Sequence, residues 1–202
     1  MGLGQFCLIP SFMMNGFNEN LRQGLMAESL IAKWLVGRGW TILPAYEKEP
    51  GEFKGPRIYS AVGQLISPDM LAFRYGPDRG EIRWIEAKNK SAFAWYRKHQ
   101  RWVDGIDKRC WLDYLELQKL APWDIWLLFL HAPGHLAKDT PPGKIPPTGM
   151  FGETIKKLAN HIDHESERWG SGGMVYWQVD DLRLLSSWND FQNTLDSTLA
   201  AG

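Results

Sequence analysis

Apolar residues recur along the chain in two rhythms, and the switches between them mark its elements. The first rhythm is helical. Asn18 or Asn20 caps a helix that the pattern carries to about Val36, ended by Gly37-Arg38-Gly39. Its apolar stripe is Leu21, Leu25, Ile31, Ala32 and Leu35, and Glu28 falls on that same stripe. Trp40–Tyr46 then reads as a strand, with Pro44 placing it at an edge or a bulge. Glu47–Arg57 is a charged loop, and Ile58–Ile66 either extends the next strand or adds another. Met70–Tyr75 and Ile82–Ala87 flank the turn residues Gly76-Pro77-Asp78-Arg79-Gly80, which predicts a β-hairpin.

The second half repeats the alternation. Asp107 caps a predicted helix from Lys108 to about Leu120, with Trp111, Leu112, Leu115 and Leu120 inward. Trp123–His131 is almost wholly apolar, as a central strand buried on both faces would be. Ala132–Gly149 is a long loop rich in Pro and Gly. Thr154–Trp169 is read as a helix, Gly173–Val179 as a strand and Asn189–Leu199 as a last helix. Met1–Gly16 has no clear period and is read as an irregular arm or short strand.

The hairpin carries candidate chemistry. If its loop is Gly76–Arg79, Tyr75 faces Gly80 and Asp69 falls opposite Glu86. Opposed strand positions share a face with Cβ atoms about 5 Å apart, and a one-residue slip would send Asp69 to the other face. Glu86 and Lys88 share that face as well, roughly 6.6 Å apart along the strand. Two carboxylates neutralise a divalent cation, and hard oxygen ligands suit Mg²⁺, with Mn²⁺ substituting. An adjacent lysine can orient a water or stabilise charge developing on a phosphate. Glu28 belongs with these groups on different grounds: a glutamate on an inward helical stripe needs a partner, because burying an unpaired carboxylate is costly.

Charge and composition narrow the setting. Lys and Arg balance Asp and Glu at 23 each over 202 residues, so any contact with nucleic acid must come from local charge. That local excess lies between Arg83 and Arg109, where Lys88, Lys90, Arg97, Lys98, Arg101 and Lys108 outnumber Glu86, Asp104 and Asp107. Phe93, Trp95, Tyr96 and Trp102 interleave with it, a composition that suits a nucleic-acid groove or, alternatively, a solvated helix face. Lys54 and Arg57 in the charged loop, and Tyr114 and Gln118 one turn apart on the Lys108 helix, are further candidates for contact with phosphate. His161, His164 and Glu165 have the spacing of a helical metal site, although solvated histidines are the favoured reading. The two cysteines, Cys7 and Cys110, lack metal-ligand spacing and point to a reducing, cytoplasmic setting. No apolar run is long enough for a membrane span, and no signal peptide is read at the N-terminus. The eleven tryptophans are taken mainly as packing residues.

Pro68-Asp69, sixteen residues, then Glu86-Ala87-Lys88 resembles the active-site motif of the PD-(D/E)XK nuclease superfamily, with Glu28 as a fifth match. The resemblance covers about Asn18 to His131. It implies an α/β fold with a restriction endonuclease-like core, a mixed central β-sheet flanked by helices, and a C-terminal elaboration. One nuclease domain over 1–202 is expected, with its core at about 18–131 and the elaboration at about 132–202. It also implies hydrolysis of phosphodiester bonds, in DNA with RNA left open, and Mg²⁺ held by Asp69, Glu86 and the Ala87 carbonyl. Glu28 would assist directly or through a water, and Lys88 would act on the nucleophile and the phosphate. Resolvase-like relatives act as symmetric dimers, so a homodimer is an open expectation. The rival reading is a catalytically silent nucleic-acid-binding or protein-interaction module that keeps the fold.

Overall fold

A computed structural model describes residues 26–45, 57–76, 80–90, 92–170 and 172–200. The first helix, α1, is described over 26–37; its start, the Asn18 and Asn20 caps, Leu21 and Leu25 lie outside the described residues, as do Met1–Gly16, Cys7 and Lys54. Ala27, Ile31, Trp34 and Leu35 form its buried stripe, at the i, i+4, i+7 and i+8 positions of an amphipathic helix. Gly39, at φ +80°, ends it: its N–H reaches Val36 O, and the Trp40 N–H reaches Leu35 O.

The strands are β1 (Thr41–Pro44), β2 (Arg57–Ser60), β3 (Gly63–Ile66), β4 (Met70–Tyr75), β5 (Gly80–Lys90), β6 (Ala94–Tyr96), β7 (Arg101–Asp107), β8 (Ile125–His131), β9 (Gly149–Thr154), β10 (His164–Ser166), β11 (Met174–Gln178) and β12 (Arg183–Ser186). The other helices are α2 (Lys108–Leu120), α3 (Ile155–Leu158) and α4 (Trp188–Ala200). Six strands make the central mixed sheet in the order β1-β4-β5-β8-β9-β12. Within it β5 and β8 run parallel and the other pairs antiparallel. The α/β class with a mixed central sheet is therefore present, and Pro44 sits on an edge strand as expected.

Strand alternation divides the core in two. One face of the sheet packs Ile85, Ala87, Trp126 and Leu128 against α1 and Phe191 of α4. The other packs Leu127 and Phe129 against Trp111, Tyr114 and Leu117 of α2 and Val175 and Trp177 of β11. Every residue of β8 is buried, which is why its sequence shows no alternation.

The structure decides two open readings and corrects several others. Ile58–Ile66 does not extend β4 but forms its own hairpin, β2–β3, tied to α2 by Asp113, which accepts from Ile66 N–H at 2.9 Å and lies 3.6 Å from Arg57. The basic, aromatic run after Lys90 is not a helix: β6 and β7 form a hairpin in a second sheet, β10-β11-β7-β6. Gly105 makes the pairing of β7 with β11 feasible, since a Cβ there would meet Val175 O at 2.3 Å. The helix read over Thr154–Trp169 is only α3, one turn capped by Thr154, and His164 then enters β10. On α2, Leu112 and Leu120 are exposed rather than inward, and Asp107 holds the N-cap position without a side-chain capping bond. The chain beyond 131 supplies β9 and β12 to the central sheet and α4 to its cover. Among the described residues, no helix is long and apolar enough to cross a membrane.

Candidate active site

The hairpin register sets the site. Tyr75 pairs with Gly80 and Met70 with Ile85, so the next step of the ladder sets Asp69 against Glu86. The Asp69 backbone is anchored from the other side, where its carbonyl accepts the Ala45 N–H at 2.9 Å. Its side chain then turns across the end of β4, and Oδ2 accepts the Ala87 N–H at 2.8 Å. The expected juxtaposition of Asp69, Glu86 and Ala87 is present.

Glu86 is 2 % exposed, an unusual place for a carboxylate without full compensation. Its Oε1 pairs with Lys88 Nζ, two residues along the same strand face. Its Oε2 is buried with no hydrogen-bond partner among the described residues. From α2, the Tyr114 phenol lies beside the Glu86 carboxylate; burial first, then Glu86, pushes that phenol well above its ordinary value, so it stays protonated. Cys110, one helical turn before Tyr114, is half-buried beside the same charges. Burial raises its thiol, and Glu86 adds to this against the opposing pull of Lys88.

The Asp69 carboxyl is strongly perturbed. Burial and then Glu86 push it well above the ordinary carboxylate value, and Glu28 adds to the rise, while Lys88 and the Ala87 N–H pull the other way. Glu28 on α1 thus lies within the field of Asp69, as its place on the helical stripe suggested. For Lys88, burial opposes the ammonium, but Glu86 and Asp69 more than offset that and hold it above its ordinary value. Its side chain keeps 30 % of its exposure, so the ammonium is reachable from solvent.

Asp69 and Glu86 therefore share one ammonium, with Glu28 in the field of Asp69, and one buried carboxylate oxygen is unsatisfied. A divalent cation fits that donor set in both charge and chemistry. Among the described residues no group of three or more His, Cys, Asp or Glu side chains is arranged to hold an ion; the carboxyl groups that could hold one here are the Asp69 and Glu86 pair.

The same face of β5 continues past the cluster. Lys90 donates to Gly105 O at 2.7 Å and lies 3.6 Å from Asp104, and Asp104 Oδ2 lies 2.9 Å from His131 Nε2 without hydrogen-bond alignment. These contacts pin the end of β5 to β7 and β8, and they remove Lys90 from the free phosphate contacts expected of it.

Several other expected contacts are also engaged elsewhere. Gln118 is buried and clamps the start of β8, accepting from Ile125 N–H at 2.9 Å and donating to Trp123 O at 3.1 Å. Tyr114 is likewise enclosed, so it serves Glu86 rather than a phosphate. Arg101 pairs with buried Asp163 and bonds Gln178, and Lys108 pairs with Glu165. Arg97 pairs with Asp139 at the surface, while Lys98 is exposed. His161 bonds Asp181, and His164 is stacked between Tyr96 and Tyr176, so the two histidines do not share a helical face. Sequence reasoning missed Cys110 and the service of Tyr114 to Glu86; the available signal was a phenol in line with Trp111 and Leu117 on the buried face of α2.

No family model matches the sequence, and no curated protein matches it. Two solved structures are similar to the fold. One is Hjc, a Holliday junction resolvase of Archaeoglobus fulgidus, at 8 % identity and a TM-score of 0.44, covering 78 % of this chain and 90 % of that one. The other is D212, a nuclease from a fusselovirus, at 10 % identity and a TM-score of 0.38, covering 98 % of this chain and 99 % of that one.

Proposed function

We propose that the chain is a divalent-metal-dependent nuclease that hydrolyses phosphodiester bonds in DNA, with Asp69, Glu86 and Lys88 at its centre. The observation that carries this reading is the buried, unpartnered Glu86 Oε2 beside a second carboxylate, with a partly exposed lysine on the same strand face. Asp69, Glu86 and the Ala87 carbonyl would hold Mg²⁺. The N–H and C=O of one strand residue point to the same side. The Ala87 N–H points past the end of β4 to Asp69, and its carbonyl points to that side as well. Bound there, the ion supplies Lewis acidity toward a phosphoryl oxygen and lowers the pKa of water.

The remaining work falls to this chain's own groups. The Ala87 N–H fixes Asp69 Oδ2. Tyr114 and Lys88 orient the Glu86 carboxylate. Lys88 holds the attacking water and then the charge that grows on the phosphate, where a preformed cation is worth most. Glu28, on α1, accepts the proton of that water or orients it. The water oxygen bonds to phosphorus, the bond from phosphorus to the 3′ oxygen breaks with its electron pair on that oxygen, which takes a proton from solvent water, and the products carry 5′-phosphate and 3′-hydroxyl ends.

The test is a panel of linear, nicked, flapped, single-stranded and four-way DNA, with RNA alongside, in Mg²⁺, Mn²⁺ or EDTA. Cleavage is expected with either metal, is lost in EDTA and is lost in Glu86→Gln. Cleavage of no substrate, or undiminished cleavage in EDTA, overturns the reading.

A further inference from the structure

On the opposite face of β5 from Glu86, arginines and tryptophans alternate across the sheet. Arg74 lies 4.4 Å from the Trp40 ring centroid, Arg83 lies 4.8 Å from both Trp40 and Trp126, and Arg183 lies 4.6 Å from Trp126. The row spans β4, β5, β8 and β12, and Arg38 extends it at 5.5 Å from Trp34. Together these side chains border a cavity of about 270 Å³.

A layer of this kind stabilises a sheet face by cation–π contact, at about 0.5–1 kcal/mol for each exposed pair. Two observations go beyond that role. First, the charge is unbalanced. Glu81 is shared by Arg74 at 3.0 Å and Arg83 at 2.9 Å, and Glu153 is shared by Arg183 at 2.8 Å and Lys157 at 2.9 Å. Arg38 has no ion pair among the described residues, so five cations share two carboxylates. Burial pulls the Arg83 guanidinium below its ordinary value, and Arg74 and Arg183 add to this against the pull of Glu81. Second, these ring contacts and ion pairs take up few of the guanidinium donors, and the rest remain for an oxyanion. Arg74 and Arg83 spend one bond each on Glu81, Arg183 spends two on Glu153, and Arg38 spends none. A planar fork with free in-plane donors is the geometry that takes a phosphate bidentately. In the cavity wall, the Trp34 indole N–H is also buried with no acceptor among the described residues.

We propose that this arginine–tryptophan layer binds the phosphate backbone of a nucleic acid, as a second contact site away from the cleavage centre. The choice of nucleic acid over an acidic peptide rests on the nuclease reading above. Arg83 precedes Glu86 by three residues and points to the other face, about 10 Å away along the strand. A phosphate held there is therefore not the scissile one but belongs to another segment of the substrate.

The test uses the full chain and a labelled DNA duplex, with binding measured by anisotropy in EDTA and in Ca²⁺ from 50 to 200 mM KCl. The double variant Arg38→Gln/Arg74→Gln should bind more weakly, with the salt dependence flattened by about two units of slope for two lost contacts. Glu81→Gln, which adds net positive charge and frees donors, should bind more tightly with a steeper slope. This second variant keeps the proposal testable if the first fails to fold. Unchanged affinity and slope in the Arg38/Arg74 variant, or no gain in Glu81→Gln, overturns the site. If poly-glutamate rather than DNA loses affinity in the double variant, the ligand is an acidic peptide and the proposal fails. The nuclease reading fails separately: wild-type protein that cleaves nothing, yet shows both salt effects, keeps this site and loses the catalytic one.

Discussion

Lys88→Met isolates the electrostatic role of the one cation in the Asp69–Glu86 cluster. Methionine keeps most of the volume and removes the charge. Glu86 at 2 % exposure then loses the partner of Oε1, while Oε2 already has none. Breaking a fully buried pair costs about 3–5 kcal/mol. Lys88 keeps 30 % of its exposure, and Asp69 can take up a proton to relieve the repulsion, so a cost of about 2 kcal/mol is expected here. For a chain of this size that corresponds to a fall in Tm of roughly 4–8 °C. A divalent ion supplies the same missing charge, so saturating Ca²⁺ should stabilise Lys88→Met more than wild type and narrow the gap. The assay is thermal melting of both proteins in EDTA and across a Ca²⁺ titration, with single-turnover cleavage in Mg²⁺ alongside. Cleavage should fall on the order of a hundredfold or more even where the ion restores stability, because the charge lost is one made for the transition state. Equal melting of the two proteins in EDTA, or an equal Ca²⁺ shift in both, would refute the view of Lys88 as the stand-in counter-charge.

Further outcomes follow from the same cluster. Glu28→Gln should lose at least tenfold in cleavage with a melting temperature close to wild type, because α1 is held by Ile31, Trp34 and Leu35 rather than by its acid; wild-type cleavage would remove Glu28 from the chemistry. Tyr114→Phe should cost about 1–2 kcal/mol in EDTA, since it removes the hydroxyl placed beside the buried Glu86 carboxylate, and a chemical melt reads this directly. The pH dependence has a definite sign. The Asp69 carboxyl is raised in the folded protein, so the stability it contributes is present below the ordinary carboxylate value and is lost as pH rises through its folded value. In EDTA the melting temperature should fall over that window, and Asp69→Asn should flatten the fall; a variant with an unchanged slope would assign the titration to another group.

The legible part of this protein was local. Apolar runs on either side of Gly76–Gly80 sufficed to place Tyr75 against Gly80, and from that register the meeting of Asp69 with Glu86 followed without any tertiary information. Lys108–Leu120 was equally readable, because a single amphipathic stripe and a capping aspartate state a helix. What the sequence left open was the run of charge and aromatics after Lys90. Trp95, Tyr96 and Trp102 looked like groove residues, yet cross-strand pairing decides their neighbours, and Trp95 sits directly opposite Trp102. Gln118 and Tyr114 looked alike in sequence, both polar and one turn apart, but one ends at the backbone of β8 and the other at Glu86. Only the packing of α2 on the sheet distinguishes them. The arginine–tryptophan row was invisible for a related reason: Trp40, Arg74, Arg83, Trp126 and Arg183 are scattered along the chain, and the sheet order alone lines them up.

Strand β5 shows why both charged sites can exist in a protein of zero net charge. Its alternation sends Glu86, Lys88 and Lys90 to the α2 face and Arg83, Ile85 and Ala87 to the α1 face. On the first face carboxyl groups outnumber ammonium groups around Asp69, which leaves a deficit of positive charge. On the second, guanidinium groups outnumber carboxylates around Glu81 and Glu153, which leaves a surplus. Neither imbalance is relieved across the sheet, because the buried apolar rows of β5 and β8 lie between the two faces. On the proposed readings each would be relieved from solvent, by a cation on one side and a phosphate on the other. Adding salt should therefore weaken the phosphate side far more than the metal side, since exposed charges are screened within a Debye length of about 10 Å at 0.1 M and buried carboxylates are screened much less. A parallel salt dependence of metal affinity and DNA affinity would show that the two faces do not act separately.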